Sequence, residues 1–172
     1  MHEPSYYRDK WMRLYRAERL SAGLLTGMGI LTLAGAAASA WWGSSPFAQG
    51  VALGLLGTGL PALLFGLQAW RRVRRRKRAE ADILSLDPLL ACRQEAEQLR
   101  PVLRFLLRRR QVEMLLFLLG FALLLAGGVV LKNYFMAGMG LAVSLLSFVL
   151  IGFTLLRHYR LSLFCQEVDA ER

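Results

Sequence analysis

Two cysteines and two histidines are all that the 172 residues offer of the side chains that most often bind metals or act as nucleophiles. His2 and His158 lie near opposite ends of the chain. They cannot hold a haem between helices, and they make a poor metal site. Cys92 and Cys165 sit in charged surroundings rather than at an outer turn, which excludes a disulfide enzyme that needs a paired thiol at the outer face. Acidic residues number twelve against twenty-two basic ones. Glu80, Asp82, Asp87, Glu95 and Glu97 have no metal-ligand spacing, and a solvated face accounts for them. No catalytic, cofactor-binding or metal-binding residue is expected.

Charge itself is missing from two long stretches. Ser21 to Trp70 carries none, and Met114 up to Arg157 carries only Lys132. A bilayer core of roughly 30 Å needs about 20 apolar residues per helix, so each stretch holds two spans. GSSPFAQG (43–50) breaks the first with Gly, Ser and Pro. Lys132 and Asn133 form a polar tip in the second. The spans are predicted at 21–42, 51–70, 114–131 and 134–156. A soluble all-α bundle with fully buried helices is the competing reading, and four charge-free stretches of this length argue against it. The YYRDKWMRLYRAER segment before the first span is too long and too aromatic for a signal leader, so no cleaved segment is expected.

The charges that are present are segregated. Five basic residues precede the first span, thirteen lie between Arg71 and Arg110, three follow the last span, and Lys132 stands alone on the other side. The positive-inside rule therefore predicts a bacterial inner-membrane protein with both termini and the central region in the cytoplasm. There both cysteines would stay reduced. WRRVRRRKR (70–78) is the densest cluster. Arg71, Arg72, Arg74, Arg75, Arg76, Lys77 and Arg78 are expected to set topology and to hold anionic lipid headgroups, at roughly 1 kcal/mol each. No nucleic-acid-binding fold fits, so nucleic acid is not expected as a partner. Trp41, Trp42, Phe47, Trp70, Tyr134, Phe135 and Tyr159 mark span ends, where aromatic rings favour the headgroup zone.

The two halves resemble each other. WMRLYRAER at 11–19 matches VLRFLLRRR at 102–110, LAG recurs at 33–35 and 125–127, and FGLQAWRRVR at 65–74 parallels IGFTLLRHYR at 151–160. The implied fold class is all-α and polytopic: four transmembrane helices as two repeated hairpins, related by a pseudo-twofold axis along the membrane normal, with a small cytoplasmic helical cap. The domain reading is 1–78 as the first repeat, 79–100 as a linker helix and 101–172 as the second repeat. In the cap, Tyr7, Trp11, Leu14 and Tyr15 share one helical face, on a helix running from about Ser5 into the first span. Asp87-Pro88 has the pattern of a helix start. Pro101 is expected to break that helix and open the next.

No ionisable side chain is expected in a bilayer core, which argues against proton-coupled transport and intramembrane hydrolysis. Glu113 is nearest and is expected at headgroup level, paired with Arg109 or Arg110. Pro61 should kink the second span and leave backbone carbonyls near Gly57 short of donors, with Thr58 in partial compensation. The spans are rich in small residues. Gly23 and Gly27 form a GxxxG, as do Gly50 and Gly54, with Gly57 and Gly59 following. This set is the expected helix-packing or partner face.

A non-enzymatic protein that binds a protein partner, in the bilayer or at its cytoplasmic face, is the leading expectation. It is similar in type to immunity proteins that neutralise membrane-acting, pore-forming toxins, and to accessory subunits of envelope or secretion complexes. A homo-oligomer is allowed for. An oligomeric channel or small-solute carrier, with Thr26, Thr32, Ser39, Thr58, Gln68, Ser144, Ser147 and Thr154 lining a weakly polar path, is the alternative.

Overall fold

The computed structural model describes the backbone of residues 4–86 and 88–170, and the side chains of residues 5–74, 90 and 92–170. The described chain is helical apart from short turns. Helix α1 spans Pro4–Trp42, α2 Pro46–Leu86, α3 Pro88–Leu125 and α4 Tyr134–Asp169, with a π-helical turn at Ala126–Val130 closing α3. All four helices are long and apolar enough to cross a membrane. Their outer faces carry many exposed large apolar side chains, among them Leu31, Leu115, Leu118, Phe148 and Leu156. Such a surface suits lipid and would aggregate in water.

Each helix is also longer than a bilayer needs. The 39 residues of α1 rise about 58 Å, against a hydrocarbon core of roughly 30 Å. The surplus is the charged part of each helix, so span and extension form one rod. α1 enters its apolar stretch without a break, as the sequence predicts.

Three local readings need correction. The turn after α1 is confined to residues 43–45, and the second helix starts at Pro46 rather than at residue 51. Ser45 accepts a hydrogen bond from the Ala48 amide and Pro46 follows it, the arrangement of an N-cap with proline in the first helical position. Pro101 does not break a helix, because α3 runs through it from Pro88 to Leu125. A proline removes one amide donor, and here the helix continues through that loss. Residues 79–100 are not a separate linker helix, since 79–86 complete α2 and 88–100 open α3. Asp87, the expected cap of that start, lies outside the described residues.

The second turn fits its sequence. Lys132 adopts a left-handed backbone with φ 49°, and the Asn133 side chain accepts from the Met136 amide at the start of α4. A polar, positive-φ residue followed by an Asn cap is how a chain reverses between two helices.

α1 lies along α2, α3 lies along α4, and α2 and α4 join the pairs. α2 and α3 touch little, which leaves a gap between them with α4 as its floor. Leu25, Ala62 and Leu150 are buried together where α1, α2 and α4 meet. A larger cluster lies where the charged ends gather: Tyr7 and Trp11 of α1, Cys92, Ala96, Leu99 and Leu106 of α3, and Leu161, Phe164, Cys165 and Val168 of α4. The aromatic face read from the sequence is thus a core face, flanked by Leu14 and Tyr15. Ion pairs surround it. Glu18 takes a two-pronged hydrogen bond from Arg157 at 2.9 and 2.6 Å, Arg100 pairs with Asp169, and Lys10 lies 3.0 Å from Glu167.

Candidate functional site

Glycines are where helices can approach most closely, and the structure sorts those named from the sequence into two groups. A Cβ on Gly54 would stand 2.8 Å from the Met139 carbonyl oxygen and 2.9 Å from the Ala142 Cβ. One on Gly50 would collide with the backbone of Phe135, and one on Gly59 would come 2.8 Å from the Thr32 hydroxyl. These three seat α2 against α4 and α1. Gly23, Gly27 and Gly57 meet nothing within 4 Å. Further tight approaches fall at other glycines, Gly140 of the fourth span among them. Gly29 faces Leu63, Gly66 faces Thr26, Gly120 faces Ser144 and Gly140 faces Leu124. None of these four belongs to a GxxxG pair, so the motif alone did not point to them.

The unused pair lies on an exposed face of α1. Leu20, Gly23, Leu24 and Leu31 are all exposed, with Gly27 among them half-buried. Their spacing places them on one side of the helix. In a helix interior glycine costs about 1 kcal/mol relative to alanine. Close approach offsets that at Gly54, and no described residue comes close enough to offset it at Gly23 or Gly27.

The gap between α2 and α3 is a second candidate. It is a groove of about 710 Å³, lined largely by apolar side chains. Glu113 of α3 lies at one end. It is 5% exposed. Its Oε1 accepts from Arg109 Nε at 2.7 Å and from the Thr154 hydroxyl of α4 at 3.1 Å. The expected partner Arg109 is therefore the one used, and its guanidinium lies 4.7 Å from the centre of the Phe65 ring. Oε2 of Glu113 is buried and has no hydrogen-bond partner, and the same holds for the Ser147 hydroxyl on α4. A buried carboxylate oxygen left unpaired costs about 1–3 kcal/mol or more. The Thr58 hydroxyl donates to the Gly54 carbonyl at 2.8 Å. A threonine in a helix reaches back one turn along its own side, not to its neighbour.

Of the basic cluster, Arg71, Arg72 and Arg74 are exposed. Trp70 lies between two guanidinium groups, Arg74 at 5.4 Å and Arg19 at 5.8 Å from its ring centre. The side chains of Arg75, Arg76, Lys77 and Arg78 lie outside the described residues, as do His2 and the side chains of Glu80 and Asp82. Glu95 is buried and Glu97 exposed.

No protein family, curated protein or solved structure matches the chain.

Proposed function

We propose that this chain is a non-enzymatic bacterial inner-membrane protein that binds a protein partner inside the bilayer, through the outer face of α1. The observation that carries it is the Gly23–Gly27 pair, which meets no heavy atom within 4 Å on a helix whose Gly29 is packed against Leu63. Small residues on a lipid-facing surface let a second helix approach to backbone contact and associate by van der Waals packing. The proposed settings are an immunity protein against a membrane-acting toxin, or an accessory subunit of an envelope or secretion complex. A second copy of the chain is a possible occupant of the same face.

In this reading the charged helix ends are the cytoplasmic cap, because twenty-one of the twenty-two basic residues fall on that side. The α1–α2 and α3–α4 pairs are the two repeats, supported by the matching sequence segments. Arg71 to Arg78 meet anionic headgroups. Alkaline phosphatase fused after Arg172 should be inactive and a fluorescent protein fused there should glow; active phosphatase would reverse the topology.

The binding face has its own test. A photo-crosslinking residue at Leu24 should give an adduct of discrete mass in cells that make the partner. The adduct should disappear in a Gly27→Leu background while the variant melts like the parent. An unchanged adduct, or the same adduct from a crosslinker at Phe148, would remove α1 as the binding face.

A further inference from the structure

Arg19 of α1 and Arg74 of α2 converge on one aromatic ring. Their guanidinium carbons stand 5.8 and 5.4 Å from the centre of the Trp70 ring, so the two cations lie no more than about 11 Å apart, the two distances laid end to end. Both arginines are exposed. No ion pair among the described residues engages either of them, or the neighbouring Arg71. The indole attracts each guanidinium through its π face, which restrains two long side chains without neutralising them. Arg19 precedes the charge-free stretch and Trp70 closes it, so all three side chains sit where a span meets the headgroups. Below them α2 presents Leu67, Leu64 and Leu60, all exposed, at the helical spacing that continues the side carrying Arg74 and Trp70.

We infer that Arg19, Trp70 and Arg74 bind one lipid that carries two phosphates, of the diphosphatidylglycerol class. Such binding depends on the headgroup contact proposed above for Arg71 to Arg78 and gives that contact a particular lipid. Each guanidinium takes one phosphate through its forked N–H groups, and acyl chains run down Leu67, Leu64 and Leu60. The spacing suits a bridged pair. Two phosphates joined through one glycerol are six bonds of about 1.5 Å apart, roughly 7 Å at full extension. A charge-assisted hydrogen bond of about 2.8 Å at each end then reaches both guanidinium groups. A lipid with a single phosphate satisfies one arginine and leaves the other facing water. With a bridged pair, binding of the first phosphate makes the second contact intramolecular, at a high effective concentration. Two anionic charges also relieve the repulsion between two cations held on one ring.

The full-length protein, delipidated in detergent, would be titrated with diphosphatidylglycerol, phosphatidylglycerol and phosphatidylcholine of identical acyl chains, and bound lipid counted by native mass spectrometry. One diphosphatidylglycerol per chain should bind at least about ten-fold more tightly than phosphatidylglycerol at equal phosphate concentration. Arg19→Gln and Arg74→Gln should each bring that preference below about three-fold, to the level of a single phosphate contact. Arg71→Gln removes an equal charge beside the ring and should leave most of the preference in place. Trp70→Leu keeps every charge and should lower the preference as far as Arg74→Gln does. The two exposed arginines carry the test if Trp70→Leu fails to fold. Inorganic pyrophosphate at the same phosphate concentration should not displace the lipid. Equal affinity per phosphate for the two anionic lipids, both above phosphatidylcholine, would overturn the assignment and leave the headgroup contact standing. No advantage of either anionic lipid over phosphatidylcholine would overturn both. Equal losses for Arg71→Gln and Arg74→Gln would reduce the site to diffuse charge, and displacement by pyrophosphate would make it a site for a soluble anion; either result overturns the assignment.

Discussion

Gly54→Leu should leave little folded protein in detergent, while Gly27→Leu should melt at the temperature of the parent. Both residues belong to GxxxG motifs in adjacent helices, and the sequence treats them alike. Their surroundings differ. At Gly54 the new side chain would begin 2.8 Å from the Met139 carbonyl oxygen and 2.9 Å from the Ala142 Cβ. The first neighbour is backbone of α4 and cannot rotate away. Overpacking typically costs about 1–3 kcal/mol, and a clash with backbone belongs at the top of that range. The α2–α4 contact also joins the two helix pairs, so loosening it separates the bundle into halves. At Gly27 no heavy atom lies within 4 Å of a new Cβ. Thermal unfolding followed by size-exclusion chromatography decides the matter. A Gly54→Leu protein that melts like the parent would show that α2 and α4 do not pack in this register.

Breaking the Glu18–Arg157 pair should be the other large effect. The two side chains are only 13% and 14% exposed, and the guanidinium binds both carboxylate oxygens. The pair joins α1 to α4 alongside the Lys10–Glu167 pair. Removing one partner strands the other charge in a mostly dry site, which costs about 3–5 kcal/mol when the pair is fully buried. Here the residual exposure reduces that to about 2–3 kcal/mol. Glu18→Ala and Arg157→Ala should each destabilise by this amount. The double variant should lose less than the sum, since neither orphaned charge remains. The exposed Arg100–Asp169 pair, at 47% and 45% exposure, is the control: Asp169→Ala should cost under about 1 kcal/mol. Additive losses at residues 18 and 157 would mean that the pair contributes no coupling.

Much of this protein is legible as text because the relevant physics is one-dimensional. Apolar length determines how many helices can span a bilayer, so the charge-free stretches between Ser21 and Arg157 were enough to find four. Turn chemistry is equally local, and Ser45-Pro46 and Lys132-Asn133 mark the two reversals between apolar helices. The aromatic stripe Tyr7, Trp11, Leu14 and Tyr15 announced a packed face through its period alone. Spacing of one helical turn also narrowed the partner of Glu113 to Arg109 or Arg110. Pro101 misled because a proline only removes a donor, and whether a helix survives depends on what surrounds the freed carbonyl.

The rest depended on how each rod is rotated about its axis and which rod it meets, and no local pattern encodes that. Gly23–Gly27 and Gly50–Gly54 are the same motif, yet α4 lies against one and no described residue lies within 4 Å of a Cβ on the other. Gly66, Gly120 and Gly140 carry close helix contacts without any motif to announce them. The groove exists because α2 and α3 each pack on α4 more than on each other, leaving a gap that belongs to no single segment. Glu113 reads as a surface carboxylate at the end of a span. Only with α4 laid beside α3 does Thr154 reach its Oε1, water lose access, and Oε2 become a buried acceptor with nothing to accept.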